Sequence, residues 1–172
     1  MIETLSPTIN ARVEQLTESL LAKADAAGLM LATAESCTGG LLASLLTDVD
    51  GRGHVFDRGF VVYSEQAKCQ LLGLAREQID TCGAVSRDVA IAMALGALKG
   101  SDAQVALAIT GFAGPGAPGD EAGLVHFACA RDGREPAHRE EHFGDIGRGG
   151  VRIACLEVAL EMMIDAVGWQ ED

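Results

Sequence analysis

Residues 29–46, LMLATAESCTGGLLASLL, predict a β-strand, a polar turn and an α-helix in that order. The strand is expected at residues 29–33, which are mainly apolar, and the helix at residues 39–47, where leucines recur at helical spacing. Ser36 and Cys37 lie in the turn, so a hydroxyl and a thiol precede the helix. Because the first N–H groups of a helix lack internal partners and carry partial positive charge, a nucleophile here would have donors for a developing oxyanion.

Strands and helices alternate through the first two thirds of the chain, and a hairpin follows. The further helices are expected at residues 8–27, 65–72, 77–81, 86–99 and 150–167, and the further strands at 56–63, 105–110, 124–130 and 138–143. This order predicts an α/β fold, a three-layer α/β/α sandwich with a mixed, mainly parallel sheet. A length of 172 residues without a linker-like segment predicts one domain over residues 1–172.

The composition excludes several classes of partner. A formal net charge of −12 argues against nucleic acid or an anionic membrane surface, and 4% aromatic residues leave little for base stacking. The apolar stretches reach about ten residues, which is too short to span a bilayer. The first residues lack the pattern of a signal peptide, so we expect a cytoplasmic protein. The 5 cysteines form no C-x-x-C pair, which predicts free thiols and no metal site.

Three polar or glycine-rich loops follow predicted strands, at residues 35–38, 64–68 and 110–116. If these strands are parallel, the loops meet at the carboxyl edge of the sheet, where open α/β folds bind ligands. Ser36 is the candidate nucleophile there, and it needs a base. None of the 4 histidines lies in these loops, whereas Lys68 does. Either burial or a neighbouring cation would lower the pKa of Lys68 enough for it to act as the base. Ser36 as a helix cap and Lys68 as a solvated lysine are the structural alternatives.

Other side chains of these loops have two interpretations each. Tyr63 is either a core residue or a proton relay beside Lys68. Cys37 is either a rival nucleophile or a small buried residue. Glu35 either orients a cation or caps the turn. The loop that begins at Thr110 offers backbone N–H groups but does not match the P-loop pattern, so ATP hydrolysis is not expected.

Five segments, taken in order, resemble the CinA C-terminal domain family, the nicotinamide mononucleotide deamidases. They are TAESCTGG (33–40), RGFVVYS (58–64) followed by Ala67-Lys68, GAVS (83–86), TGFAGPG (110–116) and GLVHF (123–127). The resemblance covers residues 9–167. It implies an α/β/α sandwich with a mixed sheet, no metal or other cofactor, and a small-molecule nucleotide as the partner. The implied reaction converts nicotinamide mononucleotide to nicotinate mononucleotide and ammonia, in pyridine nucleotide salvage. For a small aliphatic-rich domain we also expect a homo-oligomer.

The resemblance also implies roles for individual residues. Ser36 would be the nucleophile, Lys68 its base and Tyr63 an assisting group. The position of the turn before the helix adds the expectation that backbone N–H groups near Thr38 and Gly39 hold the oxyanion. The substrate-binding residues are expected to be Glu35, Cys37, Thr38, Gly39, Thr110, Gly111 and Arg148, of which Arg148 and the glycine loop would hold the phosphate.

The chain departs from the family pattern at residues 117–121 and 144–148, and both departures concern phosphate recognition more than catalysis. A non-catalytic nucleotide-binding or interaction module of the same fold is the alternative function.

Overall fold

A computed structural model describes residues 9–169 of the chain, which form a five-stranded sheet covered by helices on both faces. The strands are β1 (Leu31–Glu35), β2 (Phe56–Val61), β3 (Val105–Gly111), β4 (Leu124–Arg131) and β5 (Arg134–His142). The helices are α1 (Ala11–Ala27), α2 (Leu41–Leu46), α3 (Glu65–Leu72), α4 (Arg76–Cys82), α5 (Arg87–Lys99) and α6 (Gly147–Gly168).

The sheet has the order β2-β1-β3-β4-β5. β1 pairs in parallel with both β2 and β3, while the β3–β4 and β4–β5 pairs are antiparallel. The predicted three-layer α/β/α sandwich with a mixed sheet is therefore confirmed. Four strands share one direction and β4 opposes them. The loop at residues 112–123 reverses the chain between β3 and β4, and a tight turn at residues 132–133 reverses it again before β5.

The two faces of the sheet carry side chains of different size. One face packs its larger residues, among them Leu107, Ile109 and Phe127, against α1, α2 and α6. The opposite face, under α3, α4 and α5, is lined by alanines at positions 32, 34, 106, 108, 128 and 130. A layer of alanines lets helices lie close to the strands, so small shifts of these helices are transmitted to the sheet.

Helix α5 also lies very close to α3. A Cβ atom added at Gly96 of α5 would lie 2.2 Å from the carbonyl oxygen of Leu72, the last residue of α3. Glycine is thus required here by the close approach of two helices rather than by its backbone angles.

Several predicted boundaries were wrong: β2 ends at residue 61 instead of 63, and α2 and α6 begin at 41 and 147 instead of 39 and 150. Three further boundaries differ for identifiable reasons. The first strand covers 31–35 instead of 29–33, because Leu29 still donates its N–H to the carbonyl of Ala24 at the end of α1. This shift places Glu35 inside the strand. The first helix begins at Ala11 with Asn10 as its cap, and the expected start signal at residues 6–8 lies outside the described residues. The last strand begins at residue 134 instead of 138. Its start was missed because this polar edge-strand sequence has no apolar pattern that would indicate a strand.

Within residues 9–169, no helix combines the length and the apolar character that crossing a membrane requires.

Candidate active site

A cavity of about 270 Å³ opens at the carboxyl ends of the parallel strands β1, β2 and β3. The three loops expected to converge do meet there. The walls are formed by Ser36, Cys37, Tyr63, Lys68, Ala84, Val85, the loop from Thr110 to Gly116, and Arg148. Sequence reasoning did not include Ala84 and Val85 in the site, although the GAVS segment that contains them was among the matching motifs.

Ser36 follows β1 directly and is fixed by the backbone of the neighbouring strand. Its N–H donates to the carbonyl of Ile109 in β3 at 3.0 Å, which continues the sheet pairing by one residue. The side chain is 8% exposed and its Oγ lies 3.0 Å from Nζ of Lys68. This contact joins the residues that follow two different strands.

Lys68 is one of the largest fully buried side chains, with 1% of its surface exposed. It projects from α3, which Ser64 caps by accepting the N–H of Ala67. Its Nζ lies 3.0 Å from the carbonyl oxygen of Val62 as well as from the hydroxyl of Ser36. Burial lowers the pKa of the Lys68 amine below its ordinary value of 10.5, with the charges of Cys37 and Glu65 acting in the opposite sense. The predicted alternative of a solvated lysine is wrong.

A neutral Lys68 amine has a lone pair that can accept the proton of Ser36 at hydrogen-bond distance, which is the geometry of a nucleophile with its base. All 4 histidines lie within residues 9–169, and none of them is part of the cavity wall.

Tyr63 is at the cavity but not in the core. Its side chain lines the cavity and is 67% exposed, so the core interpretation was wrong. Such a ring lies at the mouth, where it can cover a bound aromatic group.

Glu35 does not contact the cavity, which corrects the expectation that it binds substrate. The carboxylate is fully buried and lies under the start of α2. Its oxygens accept the N–H groups of Gly40, Leu42 and Ala43 at 3.2, 3.0 and 2.8 Å, and the hydroxyl of Thr33 at 3.3 Å. Glu35 therefore caps the helix, and the N–H groups at the helix end are not available to an oxyanion.

The available donors lie in the turn before the helix. Gly39 was expected to supply one, but its N–H donates to the carbonyl of Ser36 at 3.1 Å. Within residues 9–169, the N–H groups of Cys37 and Thr38 have no hydrogen-bond partner. The Thr38 hydroxyl is also buried there without a partner. Although Thr38 and Gly39 are not part of the cavity wall, the turn holds unsatisfied donors beside the nucleophile.

Cys37 lines the cavity, but its thiol is 4% exposed. The pKa of this thiol is lowered, first by a hydrogen bond with Cys155 and further by the charge of Arg152, while burial and Glu35 oppose the shift. Among the described residues, Nζ of Lys68 has a hydrogen-bond contact with Ser36 and none with Cys37. The base is thus directed at the hydroxyl rather than the thiol.

Arg148 and the glycine loop form the opposite wall. Arg148 lies in the first turn of α6, and a Cβ atom added at Gly114 would lie 3.4 Å from its Nη2. Within residues 9–169, Arg148 has no ion pair and no side-chain hydrogen bond. Thr110 donates its hydroxyl to the carbonyl of Ala84, which ties the loop to the segment before α5. The cavity therefore has one wall with the Ser36 hydroxyl and the Lys68 amine, and another with a guanidinium that has no partner within residues 9–169.

Comparison with known sequences finds relatives along nearly the whole chain. The CinA C-terminal domain model matches residues 13–167. The nicotinamide-nucleotide amidohydrolase PncC of Escherichia coli K12 is 40% identical over 165 residues, which cover 94% of this chain and 96% of that protein. A CinA-like protein of Chlorobium luteolum is 52% identical over 118 residues, and these cover 67% of this chain but 27% of that longer protein.

Solved structures with the same fold are also found. The competence/damage inducible protein CihA of Agrobacterium tumefaciens has a TM-score of 0.88 and 44% identity, over 93% of this chain and 98% of that chain. The competence damage-inducible protein A of Klebsiella pneumoniae has a TM-score of 0.86 and 32% identity, over 92% and 99% of the two chains. Since the family model matches residues 13–167 and solved relatives share the fold, this chain belongs to the CinA C-terminal domain family.

Proposed function

We propose that this protein is an amidohydrolase that converts nicotinamide mononucleotide to nicotinate mononucleotide and ammonia, in pyridine nucleotide salvage. The observation that carries the proposal is the buried contact of 3.0 Å between Nζ of Lys68 and Oγ of Ser36 at the cavity. The substrate class is supported by the PncC relatives, whose names state this activity and whose length this chain nearly matches.

In the first half of the reaction, the neutral Lys68 amine accepts the proton of the Ser36 hydroxyl. Oγ then bonds to the carboxamide carbon, and the electrons of the C=O bond move onto the oxygen. The N–H groups of Cys37 and Thr38 are the available donors for this oxyanion. Collapse of the intermediate breaks the C–N bond, and the Lys68 ammonium gives its proton to the nitrogen, which leaves as ammonia.

In the second half, water attacks the ester on Ser36. Lys68 accepts a proton from the water and returns one to Oγ as the C–O bond breaks, so that nicotinate mononucleotide leaves and the starting state is restored. Tyr63 at the mouth assists by covering the pyridine ring, and its hydroxyl is the alternative to the Lys68 ammonium as the source of the single proton that the leaving nitrogen needs. The proton transfers and the covalent step therefore use side chains that line the cavity, and the oxyanion uses backbone donors of the adjoining turn.

The phosphate is assigned to Arg148 and the glycine loop, because a charged phosphate needs a cation without another partner. We expect Arg148→Ala to raise KM for nicotinamide mononucleotide at least about tenfold with a smaller change in kcat. The same substitution should leave the much weaker turnover of nicotinamide riboside nearly unchanged, since the riboside has no phosphate. Ammonia release from both substrates measures this.

Two results of that assay would contradict the assignments. An unchanged KM for the nucleotide in Arg148→Ala would remove this residue from phosphate binding. A folded parent protein that binds nicotinamide mononucleotide but releases no ammonia would contradict catalysis and support the nucleotide-binding module.

The reaction should require the neutral form of Lys68, which gives it a defined pH dependence. Burial lowers the pKa of Lys68, so the apparent pKa of the acid limb of kcat/KM should lie below 10.5. Above this apparent pKa kcat/KM should reach a plateau, and below it kcat/KM should fall as Lys68 becomes protonated. The charge of Glu65 raises the pKa of Lys68, so Glu65→Gln should move the acid limb of the profile to lower pH. A limb that stays in place in Glu65→Gln would argue against Lys68 as the titrating base.

A further inference from the structure

Arg152 lies on α6, one helical turn after Arg148, and reaches the turn that carries Ser36. Its Nε donates to the carbonyl oxygen of Cys37 at 2.6 Å. Arg152 is half-buried and is not among the residues of the cavity wall in the described part of the chain, so its guanidinium acts from behind the turn. We propose that Arg152 is a positioning residue that orients and strengthens the Thr38 N–H as an oxyanion donor. This inference rests on the proposed Ser36 mechanism.

The orientation follows from the geometry of the peptide bond. The peptide between Cys37 and Thr38 is trans, as are all those in the described residues, so its N–H points opposite to its C=O. A carbonyl held by Arg152 therefore directs the Thr38 N–H away from α6. The carbonyl of Ser36, in the preceding peptide, is held by the N–H of Gly39 at 3.1 Å. Both carbonyls of the turn are occupied, and neither of the following N–H groups has a partner in the part of the chain that the structure describes.

The strengthening follows from charge. A hydrogen bond from a guanidinium is charge-assisted, and it polarises the peptide so that the N–H on the other side becomes a better donor. This matters because the buried carboxylate of Glu35 lies beneath the same turn and disfavours a second negative charge. The guanidinium of Arg152, which contacts the Cys37 carbonyl, supplies the opposing positive charge.

Gly39 allows this approach. A Cβ atom added there would lie 3.5 Å from Nη2 of Arg152, and the residue has a φ of 65° that a side chain would strain. The guanidinium thus lies directly against the backbone of the turn.

The test compares three substitutions with a matched control. We expect Arg152→Ala to lower kcat about 10- to 100-fold, somewhat less than loss of a direct oxyanion donor, with KM for nicotinamide mononucleotide changed less than about threefold. Arg152→Gln, which keeps a donor without the charge, should lie between Arg152→Ala and the parent, and Arg152→Lys should recover most of the rate. Arg139→Ala, which removes another arginine that contacts α6 through Glu161, should match the parent.

A transition-state mimic separates positioning from a general structural role. Pyridine-3-boronic acid can form a tetrahedral, negatively charged adduct with Ser36, whereas nicotinate mononucleotide binds as a product. In Arg152→Ala, affinity for the boronic acid should fall by about the same factor as kcat/KM, while affinity for the product and the acid limb of the pH profile stay unchanged. An equal loss of affinity for both ligands, or an unchanged kcat, would overturn the proposal.

The parallel variant Ser36→Ala keeps this inference distinct from the mechanism on which it rests. Activity that survives in Ser36→Ala refutes the serine mechanism itself. An inactive Ser36→Ala together with a normal Arg152→Ala refutes only the positioning role. If Arg152→Ala does not fold, Arg152→Gln and Arg152→Lys give the same comparison, and equal rates in these two would refute the role of the charge.

Discussion

Replacing Ser36 with alanine should reduce ammonia release from nicotinamide mononucleotide by about 10³-fold or more, and replacing Lys68 with methionine should do the same. In the first variant the amide carbon has no nucleophile. In the second the hydroxyl has no group that can take its proton, since Nζ of Lys68, the proposed base, lies 3.0 Å from Oγ. The double variant should be no worse than either single one, because the two side chains act as one unit.

The loss of activity in these variants should not be accompanied by a comparable loss of stability. Methionine is close to lysine in size and removes a buried amine that is costly to hold in its charged form, although the carbonyl of Val62 loses a donor. We therefore expect Lys68→Met to unfold within about 1 kcal/mol of the parent in a denaturant titration. Cys69→Ala, at the next position of α3 and outside the described cavity wall, is the control for both measurements.

Substantial activity in Ser36→Ala would refute the assignment of the nucleophile. The thiol of Cys37 would then be the remaining candidate, and its alkylation would be expected to stop the reaction.

Replacing Glu35 with alanine should have the largest effect on stability, about 3–5 kcal/mol of the free energy of unfolding. The substitution removes the acceptor of three backbone N–H groups and of one hydroxyl, all near the start of α2, and leaves these donors buried and unpaired. For a chain of this length that loss lowers the melting temperature by about 6–20 °C. Thermal and denaturant unfolding measure both quantities.

Two further substitutions make the Glu35 result specific. Glu35→Gln keeps one acceptor oxygen and should lose about half as much stability, whereas Glu18→Ala, on the exposed side of α1, should change the free energy of unfolding by less than about 0.5 kcal/mol. If Glu35→Ala matches Glu18→Ala, the carboxylate does not organise the turn.

The pairing of Ser36 with Lys68 was within reach of the sequence, whereas the environment of Glu35 was not. The strand, turn and helix around Ser36 have distinct local patterns, and the absence of histidine from three converging loops left Lys68 as the base. Every residue of β1 is buried, so its sequence has no alternation from which to read a face or a boundary. With the strand at 29–33, Glu35 would lie in the loop; with the strand at 31–35, it lies in the strand, beneath the turn and the start of α2.

The exposure of Tyr63 and the contact of Arg152 with the turn depend on how separate elements pack. A tyrosine after an apolar strand has the same sequence pattern whether the strand continues into the core or ends at a cavity. Arg152 lies 115 positions from Cys37, and its helix shows only that it is one of two arginines near the start of α6.

The crossing of α5 over α3 has a consequence for how this sequence can vary during evolution. Gly96 admits no side chain because Leu72 is so close, and Leu72 follows Lys68 by one turn of the same helix. The separation of α3 and α5 therefore affects the distance between the Lys68 amine and the Ser36 hydroxyl. Under the proposed mechanism, the residues that α5 can accept are limited by catalysis as well as by packing, although the cavity wall described within residues 9–169 contains no residue of α5.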